Sequence, residues 1–304
     1  MHACKNRQRI VTGCLSAVVV LLCGSQSHAQ ELLRWKLSEG ENLTYVMEQD
    51  MTMTVVTGEN TLITRLSQVM DMDWQVKSVD EKGNASLGQT VTRIRMNMET
   101  PQFGNLSYDS DVNEPVTNPL LTAMTRTFET LVDSEIGMTL SPLGEATDIV
   151  LPERMLAEFE QNSAMAGMGM GREFFEQIAN QAGVILPEAV ATPSDSWSHR
   201  NAVDLPFGRM IVDAEYTYKG LQSRDDTSLA RINLVPTMSI EAVPNGPFQM
   251  RMTDSTGAGT IWFDPRAGHL VASTMTLNTQ FEIEAPVQSF TQEIDQTVTM
   301  KLVQ

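Results

Sequence analysis

Methionine is the residue type whose number and spacing in this sequence could serve a chemical purpose. The chain holds 20 methionines, and many of them occur as Met-x-Met pairs. Residues i and i+2 of a strand share a face, so such pairs would line one surface of a sheet. Three interpretations stay open: a core of flexible thioethers, a cavity for an apolar ligand, or a Cu(I) site. The pairs are Met51/Met53, Met70/Met72, Met96/Met98, Met168/Met170 and Met250/Met252.

A glycine-rich segment between residues 164 and 171 places Met165, Met168 and Met170 close together. Glycine disfavours regular helix, so we expect a loop or a frayed helix end here. Thioethers on such a loop could act as a lid over a cavity, contact a partner or chelate a soft metal. The alternative is a low-complexity loop without a function.

An acidic segment begins like a calcium-binding loop and then departs from it. Asp109, Asp111 and Asn113 have the spacing of the first calcium ligands. Glu114 stands where the tight turn requires glycine, and Leu120 stands where a bidentate glutamate belongs. The segment therefore predicts a solvated acidic loop before a helix, with an irregular cation site left open.

The sequence offers little for hydrolytic or cofactor chemistry. Beyond residue 29 the histidines are His199 and His269, and they are far apart in the sequence. There is no Gly-x-Ser-x-Gly elbow, no His-Glu-x-x-His zinc motif and no phosphate-binding glycine loop. Carboxylate pairs stay possible, because 38 acidic residues allow many of them. We therefore expect a non-enzymatic protein without a cofactor.

Residues 1–29 have the pattern of a secretory signal peptide. Basic residues precede an apolar run, and small residues stand where a signal peptidase would cleave before Gln30. The run is too short to cross a bilayer, and no later segment is apolar enough to do so. All cysteines fall in this segment, so the mature chain would lack disulfides. We expect export to the periplasm or the medium. The cysteines are Cys4, Cys14 and Cys23.

The net charge excludes some partners. The chain carries a formal charge of −17 at pH 7. Such a field repels nucleic acid and anionic membrane surfaces, so neither is expected as a partner. It is equally compatible with solubility and with cation binding.

Alternation of apolar and polar residues with period two predicts long strands before residue 112 and after residue 195. Helical spacing appears between them. Asn118 followed by Pro119 predicts a helix start, Pro152 predicts a second one, and residues 172–182 predict a third. The strands should form a meander with one solvent-exposed face. Met70, Met72, Trp74 and Val76 would share the buried face.

The order of these elements predicts an α+β fold in a single domain over residues 30–304. A large, curved antiparallel β-sheet, a half-barrel-like meander, would be built from strand blocks 31–112 and 195–304. A helix-rich segment with one hairpin, residues 113–190, would cover one face of that sheet.

Several local segments carry a resemblance to a known family. They are Tyr108 to Asp111 before a helix, the hairpin from Leu140 to Thr147, and Gly259 to Asp264 with Gly268. Together they resemble a family of secreted bacterial proteins of unknown function, over most of residues 31–304. The motifs are structural, so the resemblance implies no active site. The layout is also similar to that of periplasmic lipoprotein carriers, in which acyl chains lie between sheet and helices.

The sequence therefore predicts a non-catalytic protein that binds or carries an apolar, lipid-like molecule between sheet and helices. Met165, Met168 and Met170 would belong to a lid or to a soft-metal site. Two alternatives stay open: an envelope structural or interaction protein with a solid core, and a methionine-rich copper binder. The residues predicted to contact the ligand are Met70, Met72, Trp74, Met96, Met98, Phe128, Phe174 and Phe175.

Overall fold

The computed structural model describes residues 30–112, 118–161, 184–205, 208–242, 249–284 and 288–303. Three predicted features lie outside the described residues. They are the signal peptide, the helix over residues 172–182 and the glycine-rich methionine segment.

The structure is nearly all sheet, with 70% strand and 7% helix, so the predicted helix-covered α+β fold is wrong. The described helices are α1 (Pro119–Leu131) and α2 (Glu153–Gln161). The strands are β1 (Asn42–Thr57), β2 (Asn60–Val79), β3 (Ala85–Thr100), β4 (Gly104–Asp109), β5 (Glu135–Leu140), β6 (Ala146–Val150), β7 (Ser196–Leu205), β8 (Gly208–Arg224), β9 (Thr227–Ala242), β10 (Gln249–Asp264), β11 (His269–Glu284) and β12 (Ser289–Leu302).

The prediction failed because the strands are far longer than the alternating runs that predicted them. β1 has 16 residues and β2 has 20. Their extensions are rich in threonine, valine and isoleucine, which favour extended backbone. The segment expected to cover the sheet also contributes strands to it, since β5 pairs with β3 and β6 pairs with β5.

All twelve strands belong to one antiparallel sheet. Its order is β6-β5-β3-β2-β1-β12-β11-β10-β9-β8-β7, and β4 pairs with β3 beside β5. β1 and β12, near the two ends of the described chain, therefore pair in the middle of the sheet. The two strand blocks meet at that pair.

Helix α1 begins where the sequence predicts it. The Asn118 side-chain oxygen accepts a hydrogen bond of 3.2 Å from the backbone N–H of Leu121, which satisfies one free donor of the first turn. Leu121 is buried against Met96 of β3 and Leu106 of β4. The helix therefore covers one corner of the sheet rather than a whole face.

The register divides the sheet into two faces. On β1 the residues Leu43, Tyr45 and Met47, and every second residue up to Val55, point to one side; we call it the apolar face. Met70 on β2 and Met300 on β12 pair directly with Met47, so they lie on the same face. The intervening residues, such as Asp50 and Thr52, form the polar face.

One half of the apolar face holds the packed core, and we call it the closed half. It runs from residue 42 to residue 47 of β1 and across the paired residues of the other long strands. Residues 30–37 and 184–187 cross it. Trp35 donates its backbone N–H to the Pro142 carbonyl at 2.9 Å and its indole N–H to the Val184 carbonyl at 3.2 Å. Tyr45, Tyr218 and Phe263 are fully buried there.

The sheet is discontinuous between β9 and β10. These strands pair only from Ala230 to Leu234 and from Gly259 to Phe263. Pro236 has no N–H to donate, and its ring lies so close to Gly257 that a Cβ there would be 2.5 Å from the Pro236 Cγ. Beyond this point the described parts of β9 and β10 form no backbone ladder, although the Met238 N–H still donates to the Ser255 hydroxyl at 3.0 Å, and we call this stretch the seam.

Candidate functional site

The apolar face continues beyond the closed half. We call this continuation the open half. It consists of the apolar-face side chains among residues 49–55 of β1 and among the residues aligned with them on β2, β3, β10, β11 and β12. On this face the described register places no Asp, Glu, Lys or Arg. Charged side chains in the same strands, such as Asp50, Arg65 and Asp295, all lie on the polar face. The open half is therefore uncharged in a strongly acidic chain.

The central apolar side chains of the open half are half-buried. On β1, β11 and β12 they belong to none of the core clusters formed by the described residues. Helix α1 reaches the corner at Leu66 and Met98, but the described chain places no packed segment over the centre. The central side chains are Met51, Met53, Val55, Leu277, Ile294 and Val298.

Three glutamines interrupt this apolar surface at adjacent positions. Gln49 and Gln68 are direct cross-strand partners on β1 and β2. Gln296 of β12 pairs with Met51, one position further along the same face. All three are half-buried, and none forms a hydrogen bond with a described residue. We call them the amide trio.

Two other glutamines of the apolar face differ from the amide trio, because their amides have partners. The side chain of Gln89 donates to the Met72 sulfur at 3.2 Å, and that of Gln292 donates to the Met53 sulfur at 3.1 Å. An unbonded amide is therefore particular to the amide trio rather than general for glutamine on this face.

The predicted ligand contacts on β2 and β3 share the apolar face, and Phe128 of helix α1 packs against it, but these residues lie in or beside the packed core. Met72, Trp74 and Met96 are buried. Met70, Met98 and Phe128 are half-buried and pack against the core. Their predicted ligand contacts stay a prediction. The other predicted residues, Phe174, Phe175, Met165, Met168 and Met170, lie outside the described residues.

Aromatic rings fill the closed half. The Tyr45 and Trp74 ring centroids are 5.0 Å apart, and Trp35 lies 6.1 Å from Trp74 and 5.5 Å from Phe263. The Tyr45 hydroxyl donates to the Leu270 carbonyl at 3.0 Å, and burial raises the pKa of this hydroxyl. Burial also raises the pKa of Tyr216 to about 12. The described rings therefore pack on one another here.

A groove of about 1190 Å³ crosses seven adjacent strands from β4 to β10. Each strand contributes three consecutive residues, such as Asp50, Met51 and Thr52. The outer two lie on the polar face and the middle one on the apolar face. Helix α1 packs over the middle residues of β3 and β4, and none of its described residues lines the groove. The groove therefore opens on the polar face, opposite the predicted cavity.

Arg93 of β3 binds the carboxylates of the acidic segment that begins like a calcium-binding loop. The Arg93 guanidinium donates two hydrogen bonds to the Asp109 carboxylate, at 3.0 and 2.7 Å, and lies 3.2 Å from Asp111. The hydrogen bond from Arg93 lowers the pKa of Asp109. Among the described residues no group of three or more His, Cys, Asp or Glu side chains could hold a metal.

The two histidines lie on different strands. His199 is on β7, at one edge of the sheet. His269 is the first residue of β11, a strand near the middle of the sheet. The Nδ1 atom of His269 lies 3.8 Å from a carboxylate oxygen of Glu41. Neither described helix is long and apolar enough to cross a membrane.

The fold and the site geometry can now be compared with known proteins. Residues 82–268 match a family of unknown function, DUF6263, and the chain belongs to that family. The predicted resemblance to a family of unknown function is confirmed to this extent. No curated protein matches the sequence significantly.

Solved structures that match this chain include a lipovitellin and a DUF1329 family protein. A lipovitellin structure, described as showing lipid–protein interactions, superposes with a TM-score of 0.50 at 11% sequence identity. The match covers 88% of this chain but only 26% of the lipovitellin chain, so it shows a shared fold and no more. A DUF1329 family protein from Desulfovibrio piger matches at 10% identity over 84% of each chain, with a TM-score of 0.15.

Proposed function

We propose that the protein binds an apolar, lipid-like ligand on the apolar face of the open half. The observation that supports this is the uncharged, half-buried surface around Met51, Leu277 and Val298, over which the described chain packs nothing. Contiguous apolar surface of this kind is typical of ligand and partner sites. The centre of the site is further along the strands than Met70, Met72 and Trp74, but it lies on the same face, and the predicted Met96 and Met98 stand at its β3 side.

The dimensions of the open half suit a fatty chain. From Gln49 to Val55 a strand advances roughly 20 Å at about 3.4 Å per residue. Burying one methylene contributes about 0.8 kcal/mol, so a chain with ten buried methylenes would gain about 8 kcal/mol before the cost of association. Methionines such as Met51 and Met53 can adapt to guests of different shape because their side chains are unbranched and polarizable.

The fold comparison is compatible with this proposal. Lipovitellin shares the fold, and its structure was described in terms of lipid–protein interactions. A long antiparallel sheet with an apolar face is suited to covering acyl chains, since its charges can all be placed on the opposite side. Fold likeness alone does not assign a function, so the proposal depends on the open half itself.

A second candidate is an interaction protein, in which a protein partner rather than a lipid covers the open half. The packed closed half favours this candidate, because an interaction protein is expected to have a solid core. A partner would bury the same side chains, and the two candidates therefore differ in the mass of what is bound.

Native mass spectrometry of the protein purified from the cells that produce it separates these candidates. We expect an adduct of a few hundred daltons that is released when the protein unfolds. Met51→Glu should abolish the adduct, because it places a charge on the apolar face. Thr52→Glu is the matched control: it adds the same charge to the adjacent residue on the polar face, and the adduct should persist.

Other results would contradict the proposal. A protein-sized adduct would favour the interaction protein, and a copper-sized adduct would favour the soft-metal binder. An adduct that survives in Met51→Glu would place the ligand elsewhere. If no adduct is found, wild-type protein should be incubated with a fatty-chain fluorophore, and failure to bind it would overturn the proposal.

A further inference from the structure

The side-chain amides of the amide trio lie at the centre of an apolar surface and have no hydrogen-bond partner among the described residues. Gln49 and Gln68 face each other across β1 and β2, and Gln296 lies diagonally beside Gln49 on β12. Side chains of directly paired residues approach within about 5 Å at Cβ, so the amides can converge on one group. The hydrogen-bonding capacity of these amides is available to a ligand.

The chemistry of the amide trio defines what it would recognise. Each side-chain amide both donates and accepts hydrogen bonds, which suits ester, amide and hydroxyl groups. These amides are not among the fully buried described polar atoms that lack a partner, so water still reaches them. A ligand that offers hydrogen-bonding groups replaces this water without loss, whereas an apolar chain placed over the amides would remove their hydration. Apolar chains alone cannot satisfy these amides.

The charge distribution excludes ionic head groups. The open half presents no Lys or Arg on the apolar face to pair with a carboxylate or a phosphate. It also presents no Asp or Glu there to pair with an ammonium group. A charged head group placed on this face would lose hydration without a counter-charge. The formal charge of −17 further disfavours anions.

We infer that the ligand is an uncharged amphiphile, whose ester or hydroxyl head group is bound by Gln49, Gln68 and Gln296 while its acyl chain lies along the open half. A monoacylglycerol has this chemistry. The inference rests on the proposed function and adds the class of head group to it.

A displacement titration on the full-length protein tests this inference. Diphenylhexatriene, an apolar fluorophore without a head group, reports occupation of the open half. It is displaced by monopalmitoylglycerol or by palmitate, each below its micelle concentration. We expect monopalmitoylglycerol to bind at least tenfold more tightly than palmitate.

Isosteric variants connect this preference to the amides. Gln49→Met with Gln68→Met keeps side-chain length and removes the hydrogen bonds, so the preference for monopalmitoylglycerol should fall to about twofold or less. Diphenylhexatriene should bind this double variant as it binds the wild type. Gln75→Met, on the polar face of β2, is the matched control and should keep the wild-type preference.

The outcomes distinguish a failure of the head-group inference from a failure of the proposed function. Equal binding of both lipids by the wild type, or an unchanged preference in the double variant, would overturn the head-group inference and leave the apolar site intact. Failure of diphenylhexatriene and of both lipids to bind the wild type would overturn the proposed function itself.

Discussion

The closed and open halves share the same strands and the same alternation, yet they are completed differently. In the closed half, Trp35 and the segment from residue 184 cross the apolar face and hydrogen-bond to neighbouring loops. In the open half, the described chain packs nothing over Met51, Leu277 or Val298. A β-sheet thus forms along its whole length, while its apolar face is filled only where another segment of the chain crosses it.

This difference separates stability from binding. Burial in the closed half supplies the packing that holds the sheet together. The strands of the open half continue from the closed half, which already fixes their register. The side chains of the open half are therefore not needed to hold the sheet together and can contact a ligand. Local stability varies within one fold, and binding surfaces commonly come from the less stable part.

The largest effect is expected for a methyl group added at Gly144, where the turn from Ser141 to Glu145 contacts the segment that begins at residue 184 and crosses the apolar face. Gly144 has φ of +89°, and a Cβ there would lie 2.0 Å from the Val184 carbonyl oxygen. Gly144→Ala should therefore lower the free energy of unfolding by about 3 kcal/mol or more, because backbone strain and overlap add. Urea denaturation measures this loss.

Gly58 is the matched control for that substitution. It lies in the β1–β2 turn at the tip of the open half with φ of +59°, and a Cβ there would meet nothing within 4 Å. Gly58→Ala should cost only about 1–2 kcal/mol of backbone strain. An equal loss for the two variants would show that the crossing segment does not stabilise the closed half.

Replacing a leucine by alanine should destabilise the closed half more than the open half, with a smaller difference in the free energy of unfolding. Leu87 in the closed half is 1% exposed, and Leu87→Ala should cost about 2–5 kcal/mol through lost burial and a cavity. Leu277 in the open half is half-buried, and Leu277→Ala should cost about 1 kcal/mol or less. Comparable losses in thermal or urea unfolding would indicate that the open half is packed like a core.

The smallest expected effect concerns the ion pair of Arg93 and Asp109 on the polar face. Because Arg93 lowers the pKa of Asp109 below the ordinary 3.8, the folded state favours the charged carboxylate. This contribution is present above the unfolded pKa and is lost as the pH falls through the folded pKa. Asp109→Asn should therefore lower the melting temperature slightly at pH 7, and this deficit should shrink as the pH falls towards 2.

Asp50→Asn serves as the reference for that measurement, since Asp50 forms no ion pair with a described residue. The two variants should differ at pH 7 and converge in acid. A deficit of the Asp109 variant that persists at pH 2 would show that lost geometry, rather than lost charge, causes the effect.

The sequence predicted the faces of the strands better than the fold class. Met70, Met72 and Trp74 share the face that the period-two pattern assigned to them, and Asn118 caps α1 as expected. Long strands were predicted, but their outer parts extend beyond the alternating runs because threonines and glutamines there weaken the hydrophobic alternation. The pairing of β1 with β12 joins the two ends of the described chain, and no local pattern contains such a contact.

The candidate site was only partly predictable for a related reason. The Met51/Met53 pair marked the right face, and Gln49 continues the same alternation. Their position beyond the packed core depends on where residues 30–37 and 184–187 cross the sheet, which is a tertiary property. The amide trio needs three strands in register, so it could not be read from any one of them.

The seam between β9 and β10 has a consequence for the behaviour of the protein at high concentration. Where a backbone ladder stops, unpaired backbone groups can pair with an extended segment of another molecule, and this is a common route to aggregation. Pro236 deprives one edge of a donor at the start of the seam, and the Ser255 hydroxyl accepts the Met238 N–H at 3.0 Å. The seam therefore presents interrupted edges that a side-chain hydrogen bond still bridges, rather than a continuous template for intermolecular strand addition.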